Sequence, residues 1–143
     1  MEPLDCVFCA IARGDLPSYR VLDGDDVIAF LDIHPVAPGH TLVVPRRHAA
    51  TLLEMPEAMA GPLFAAVARV ARAVARAQGA DGVNVLQANG PAAGQTVGHL
   101  HVHVVPRRHG DGLRLHIPSG PEATDRTAMA AQAERIAAAL AAL

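Results

Sequence analysis

Three observations place this sequence in the α+β class. Short β-branched or aliphatic runs recur between turn residues, at 20–22, 27–33, 40–45, 83–88 and 97–105. A tight Asp23-Gly24-Asp25-Asp26 turn joins the first two, and strands connected in this way favour antiparallel pairing. Separate stretches at 6–13, 57–78 and 122–142 carry helical spacing instead. With 143 residues and neither repeat nor linker, one domain spanning 1–143 is expected.

Taken in order, the helical pattern at 6–13 is closed by Gly14 and Pro17. The first two strands, 20–22 and 27–33, follow across the aspartate-rich turn. Pro35-Val36-Ala37-Pro38-Gly39 then leads into a third strand at 40–45. Over 57–78, Leu63, Val67, Val70, Val74 and Ala77 share one helical face, with Arg69, Arg72 and Arg76 on a solvated side. Pro62 suits a first helical turn, so the beginning of this stretch is expected as a separate turn, and Gly79 is its stop signal. Asp81-Gly82 turns the chain into the strand at 83–88, and the last strand runs over 97–105. Met129, Ala133, Ile136, Leu140 and Leu143 mark an alanine-rich terminal helix, high in intrinsic propensity.

Composition excludes several partners. A formal charge of −2 supplies no broad basic surface for nucleic acid. Aromatic residues make up 3% of the chain, without tryptophan, which argues against stacking platforms for a single strand. The apolar segments read as too short for a membrane span, and Met1-Glu2-Pro3-Leu4-Asp5 lacks the basic and apolar regions of a signal peptide. No membrane partner is expected, and the cytoplasm is the default compartment.

The chemistry concentrates in His99-Leu100-His101-Val102-His103. On a strand, residues two apart share a face, so three imidazoles would line one side and Leu100, Val102 and Val104 the other. Aligned imidazoles offer a nucleophile, hydrogen-bond donors or metal ligands near neutral pH. Gly90-Pro91-Ala92-Ala93-Gly94-Gln95-Thr96-Val97 precedes them, and such loops either form backbone anion nests or serve as plain hairpin turns. Cys6-Val7-Phe8-Cys9 reads as a metal half-site, a redox pair or two small packing residues. A tetrahedral zinc would need two more ligands, for which His48 and His99 are available.

Several of these motifs together resemble the histidine-triad (HIT) family of nucleotide hydrolases and transferases. They are His-x-His-x-His with aliphatic spacers at 99–105, Gly94-Gln95-Thr96, Asp32-Ile33, Pro38-Gly39-His40 and Pro45-Arg46-Arg47-His48. The resemblance spans about 5–110 and leaves the C-terminal stretch with little signal. It implies a five-stranded antiparallel sheet with a long helix and a short N-terminal helix, paired across a homodimer. Some bacterial-type members bind structural zinc at positions corresponding to Cys6, Cys9, His48 and His99.

What the resemblance implies for chemistry is cleavage at the α-phosphate of an AMP-type purine nucleotide conjugate. The leaving side would be a phosphoramidate or a second nucleotide joined through polyphosphate. His101, the central imidazole, coincides with the family nucleophile, and His103 and His99 complete the triad. Thr96 is expected to protonate the leaving group, with Gly94, Gln95 and Asn89 at the phosphate. Asp32 would hold the ribose hydroxyls, and Phe8, Ile11, Phe30 and Ile33 the base. His34, His40, His109 and His116 are read as surface or structural, and Arg107 and Arg108 as loop charges. A nucleotide-binding regulator with little turnover is the alternative, although the intact triad favours an enzyme. His103 separates the chain from the uridylyltransferase-like branch, which has glutamine there. The absence of tryptophan departs from the eukaryotic phosphoramidase branch.

Overall fold

The computed structural model describes residues 5–115 and 120–143, so His116 lies outside the described residues. The chain divides into two compact units, Met1–Leu113 and Arg114–Leu143. The first unit opens with helix α1 (Val7–Arg13), capped at its start by the Cys6 thiol and ended by Gly14 in the left-handed region. Strands β1 (Arg20–Asp23), β2 (Val27–Leu31) and β3 (Thr41–Pro45) follow. A 3-10 turn at Glu57–Met59 enters the long helix α2 (Ala60–Gln78), so the separate early turn is observed and Pro62 falls in the first helical turn. Strands β4 (Gly82–Leu86) and β5 (Val102–Arg107) complete a sheet ordered β1-β2-β3-β5-β4, antiparallel throughout.

Each face of this sheet has its own apolar cluster. Val27, Ala29, Val43, Val102 and Val104 pack with Leu63, Ala66, Val67, Val70 and Val74 of α2. Ile28, Phe30, Leu42 and Val44 point the other way and pack with Phe8, Ile11 and Ala12 of α1. Strand alternation therefore sorts every second residue to one helix or the other. Arg46 fastens α1 to the β1-β2 turn, donating to the carbonyls of Ala12 and Gly24 at 2.8 Å each.

Several sequence expectations change, among them β4, which covers Gly82–Leu86 and not 83–88. Strand β2 ends at Leu31, because the Asp32 N–H bonds to the His40 carbonyl at 3.0 Å as the chain leaves the sheet and the Asp32 carboxylate takes the His34 N–H at 2.8 Å. Strand β5 begins at Val102 rather than 97, since the preceding segment is held to the loop after β3 through Leu100 N–H to the Ala49 carbonyl at 2.7 Å. Glu57–Gln78 is also long and apolar enough to cross a membrane by length and composition, contrary to the sequence reading. Its apolar face nonetheless covers the sheet, as the core helix of a globular unit does.

The second unit carries helix α3 (Arg126–Ala141), which starts later than expected because the Asp125 carboxylate caps it at the Ala128 N–H, 2.9 Å away. No residue of α3 is buried.

Candidate active site

Pairing of β3 with β5 builds the site. Leu42 lies opposite His103, and both face the α1 side of the sheet, while Val102 and Val104 face α2. His40, two residues before Leu42, therefore comes up beside His103. Gly39 delivers it with φ at +91°, and an added Cβ there would fall 2.6 Å from Gln78 Cγ, so only glycine fits this turn. The His40 and His103 ring centroids are 5.1 Å apart, and those of His101 and His103 5.0 Å.

Hydrogen bonds fix which nitrogen of each ring carries the proton. The Val36 N–H donates to His40 Nδ1 at 3.2 Å, so the proton of neutral His40 is on Nε2. That Nε2–H donates to His103 Nδ1 at 2.9 Å, which leaves His103 with its own proton on Nε2. His101 runs the opposite way. Its Nδ1–H donates to the His99 carbonyl at 2.7 Å, leaving a bare lone pair on Nε2. The site thus sets an imidazole donor beside an imidazole nucleophile. Burial, together with neighbouring His101 and His40, pushes the His103 pKa down to about 4, against a smaller opposing pull from Asp32. His40 is also lowered by burial, and the Asp32 carboxylate 3.5 Å away opposes this.

His99 does something different from its two triad partners. Its Nε2–H donates to the Pro45 carbonyl at 2.8 Å, which turns a lone pair on Nδ1 toward Cys6, Cys9 and His48. That Nδ1 stands 3.4 Å from each sulfur and 3.1 Å from His48 Nδ1, and Cys9 Sγ is 3.4 Å from His48 Nδ1. A tetrahedral zinc with bonds of about 2.3 Å to sulfur and ~2.0–2.1 Å to nitrogen has S···N edges of roughly 3.6 Å and N···N edges of roughly 3.3 Å. The four donors fit such an ion in chemistry, tautomer and spacing. His99 was expected both in the triad row and among the zinc ligands, and both of its ring nitrogens are engaged, Nε2 at the Pro45 carbonyl and Nδ1 at the cluster.

A second cluster, Asp32, His40 and His103, has comparable spacing but does not fit a metal. His40 Nε2 carries a proton there, because Nδ1 is occupied by the Val36 N–H, and a protonated nitrogen cannot ligate.

The remaining expected contacts divide. In the loop before the triad, the N–H groups of Ala93, Gly94 and Gln95 bond within the loop, and that of Gly90 bonds to Gln95 Oε1 at 2.7 Å. Of the two readings of this loop, anion nest and plain turn, these hydrogen bonds favour the turn at Gly90, Ala93, Gly94 and Gln95. Gln95 donates its amide protons to the carbonyls of Ala50 and Val97, at 2.7 and 2.9 Å, and so braces the loop. Asn89 accepts from the Leu52 N–H and exchanges bonds with Gln87, and one of its amide protons has no partner in that exchange. Thr96 is exposed at the end of the loop.

Phe8, Ile11 and Phe30 share one buried cluster, whereas Ile33 stands 73% exposed beyond the end of β2. Arg107 is held by Asp111, Asn84 and the Leu113 carbonyl, which makes it neither a free loop charge nor an open phosphate ligand. His40 is the site residue that sequence reasoning missed. The available signal was its two-residue spacing from Leu42 and Val44, which puts it on the α1 face; nothing local revealed that β3 lies against β5.

A two-sided sheet with the hydrogen-bonded His40–His103 pair at its centre and a Cys2His2 cluster beside it defines the class. Residues 13–110 match the family model of the HIT domain, and the chain belongs to that family. A Streptococcus mutans crystal structure is 42% identical, covering 97% of this chain and 87% of that one with a TM-score of 0.91. A zinc-bound histidine-triad protein from Mycobacterium smegmatis is 40% identical over 94% of this chain and 98% of its own, TM-score 0.75. Among curated relatives, the adenosine 5'-monophosphoramidase of Schizosaccharomyces pombe is 37% identical over 119 residues, or 82% of this chain and 86% of that protein.

Proposed function

We propose that this protein is a nucleotide hydrolase or nucleotidyl transferase working through a nucleotidyl-His101 intermediate. The observation that carries this is the 2.7 Å bond from His101 Nδ1–H to the His99 carbonyl, which leaves the lone pair on Nε2 for a nucleophile. In the first step that lone pair attacks the α-phosphorus and the bond to the leaving group breaks. His103 Nε2–H donates to a non-bridging oxygen as charge builds there. The Thr96 hydroxyl passes a proton to the leaving group. Water then displaces the nucleotide from His101 and restores the proton to Thr96.

Asp32 binds the ribose hydroxyls through oxygen capacity left over from the His34 N–H. Ile33 offers an exposed apolar surface to a purine, and the buried cluster of Phe8, Ile11 and Phe30 supplies the other apolar side chains assigned to the base. The phosphoramidase relative supports an adenylyl group as the transferred half. Zinc at Cys6, Cys9, His48 and His99 is structural, because four protein ligands leave no open position. Free thiols of this kind suit a reducing cytoplasm. β4 is an edge strand with Val85 exposed, and Phe64 of α2 is exposed as well; a second copy adding its own β4 there would continue the sheet.

A turnover panel of adenosine phosphoramidate, ADP and a dinucleoside polyphosphate tests the reading. AMP should appear from the phosphoramidate or the polyphosphate and not from ADP. Nucleotide bound tightly with no substrate turned over would instead identify a regulatory nucleotide-binding protein.

A further inference from the structure

Gln87 and Asn89, just beyond the end of β4, are half-buried and meet as paired carboxamides. Asn89 Nδ2–H donates to Gln87 Oε1 at 2.6 Å, and Gln87 Nε2–H donates back to Asn89 Oδ1 at 2.9 Å. A backbone group of fixed polarity orients each amide. The Leu52 N–H, 2.7 Å from Asn89 Oδ1, must meet an oxygen; the Ala88 carbonyl, 3.1 Å from Gln87 Nε2, must meet an N–H. Neither amide can turn over without losing one of these bonds.

These four bonds leave little unspent. Both lone pairs of Asn89 Oδ1 are taken, by Leu52 and Gln87, and both protons of Gln87 Nε2, by Asn89 and Ala88. What remains is one proton on Asn89 Nδ2 and one lone pair on Gln87 Oε1. With its oxygen saturated, Asn89 can act only as a donor, which suits an anionic phosphate oxygen. Its place agrees: Leu86 lies opposite His103 on the antiparallel strand, so 87–89 run back alongside the segment that carries His101.

We propose that Gln87 is a positioning residue for phosphate binding: it locks the Asn89 carboxamide so that the one unspent Nδ2 proton is presented to the α-phosphate. The torsion that turns an asparagine amide is soft, and the Leu52 bond alone would let Asn89 swing about it. Gln87 grips the oxygen and the nitrogen together and removes that freedom. Its own amide is held in turn by Ala88, so the lock does not depend on the nucleotide. This rests on the phosphate role given to Asn89 above.

The test combines nitrogen-15 NMR of side-chain amides with AMP and adenosine affinities, on full-length wild type, Gln87→Met and Asn89→Ala. Asn89→Ala identifies the Asn89 signals. In wild type one Asn89 Nδ2 proton should exchange slowly with solvent, and the other should shift with AMP but not with adenosine. Gln87→Met keeps length and volume but cannot bond; slow exchange should disappear. AMP affinity should then fall about three- to tenfold, as for one hydrogen bond, with adenosine unchanged. Asn89→Ala weakening AMP while Gln87→Met does not overturns the positioning role and leaves the phosphate assignment standing. AMP affinity untouched by Asn89→Ala overturns both. Equal losses for AMP and adenosine in Gln87→Met would make Gln87 a general brace and also overturn the proposal. Should Gln87→Met fail to fold, Gln87→Asn keeps an amide but withdraws it by one methylene. The same AMP-selective loss is expected there, and unchanged AMP affinity counts against the lock.

Discussion

His40 gives its Nε2 proton to His103 Nδ1 across 2.9 Å, and so determines that His103 meets a substrate as a donor. Removing that proton should leave His103 free to take either tautomer. His40→Phe is expected to lower kcat roughly tenfold with little change in KM, the pattern of an interaction that counts in the transition state. His40→Gln, whose amide can donate from a similar position, should recover part of the loss. Steady-state kinetics on the pair decides it, and full activity in His40→Phe would remove His40 from the machinery.

Stability should fall on mild acidification. The folded pKa of His103 is about 4, below the unfolded value of 6.5, and His40 is lowered in the same sense. Above pH 6.5 both states are neutral and the pair adds no pH dependence. Between 6.5 and about 4 the unfolded chain binds protons that the folded chain refuses, so stability drops as pH falls through that window. Melting temperatures measured across it should decline, and less steeply in His103→Phe. An identical slope in the variant would show that other groups govern the acid side.

The covalent step should belong to a single ring. His101→Asn is expected to abolish nucleotidyl-enzyme formation while leaving nucleotide binding largely intact, because only one nitrogen bonds to phosphorus. Mass spectrometry of quenched wild-type turnover should find the adduct on His101. An adduct on His103, or on His99 with both ring nitrogens engaged, would overturn the assignment.

Elemental analysis should find about one zinc per chain, as one closed four-ligand site requires. Replacing Cys6 and Cys9 by serine should release it and lower the melting temperature, since metal binding contributes to folding free energy. Metal-replete protein without zinc would return the cysteines to simple packing.

Asp32 should distinguish sugars. Asp32→Ala is expected to weaken AMP much more than 2′-deoxy-AMP, which already lacks one hydroxyl to bond. A charge-assisted hydrogen bond contributes on the order of 1.5–3 kcal/mol, or roughly ten- to a hundredfold in affinity. Asn89→Ala should weaken both nucleotides alike through the phosphate. Equal losses with Asp32→Ala would make Asp32 a turn residue that holds the His34 N–H and nothing more.

The sequence by itself determined the order and type of the elements, though not their exact bounds, and which face alternate strand residues take. Alternation in Leu100, Val102 and Val104 put them on one apolar face and the histidines on the other before any neighbour was known, and folding laid that apolar face under α2. The Cys6-x-x-Cys9 spacing likewise allowed half a metal site, beside a redox pair or simple packing. Both are local properties of a chain with fixed periodicity. Only the tertiary structure decided the division of labour among the histidines. His40 joined the site because β3 pairs with β5 across about 60 residues of intervening chain. The fates of Gln95 and Arg107 were equally hidden, since each is spent on partners brought close by folding. A hydrogen bond depends on where two groups meet in space, and the spacing of letters along one segment carries no record of that meeting.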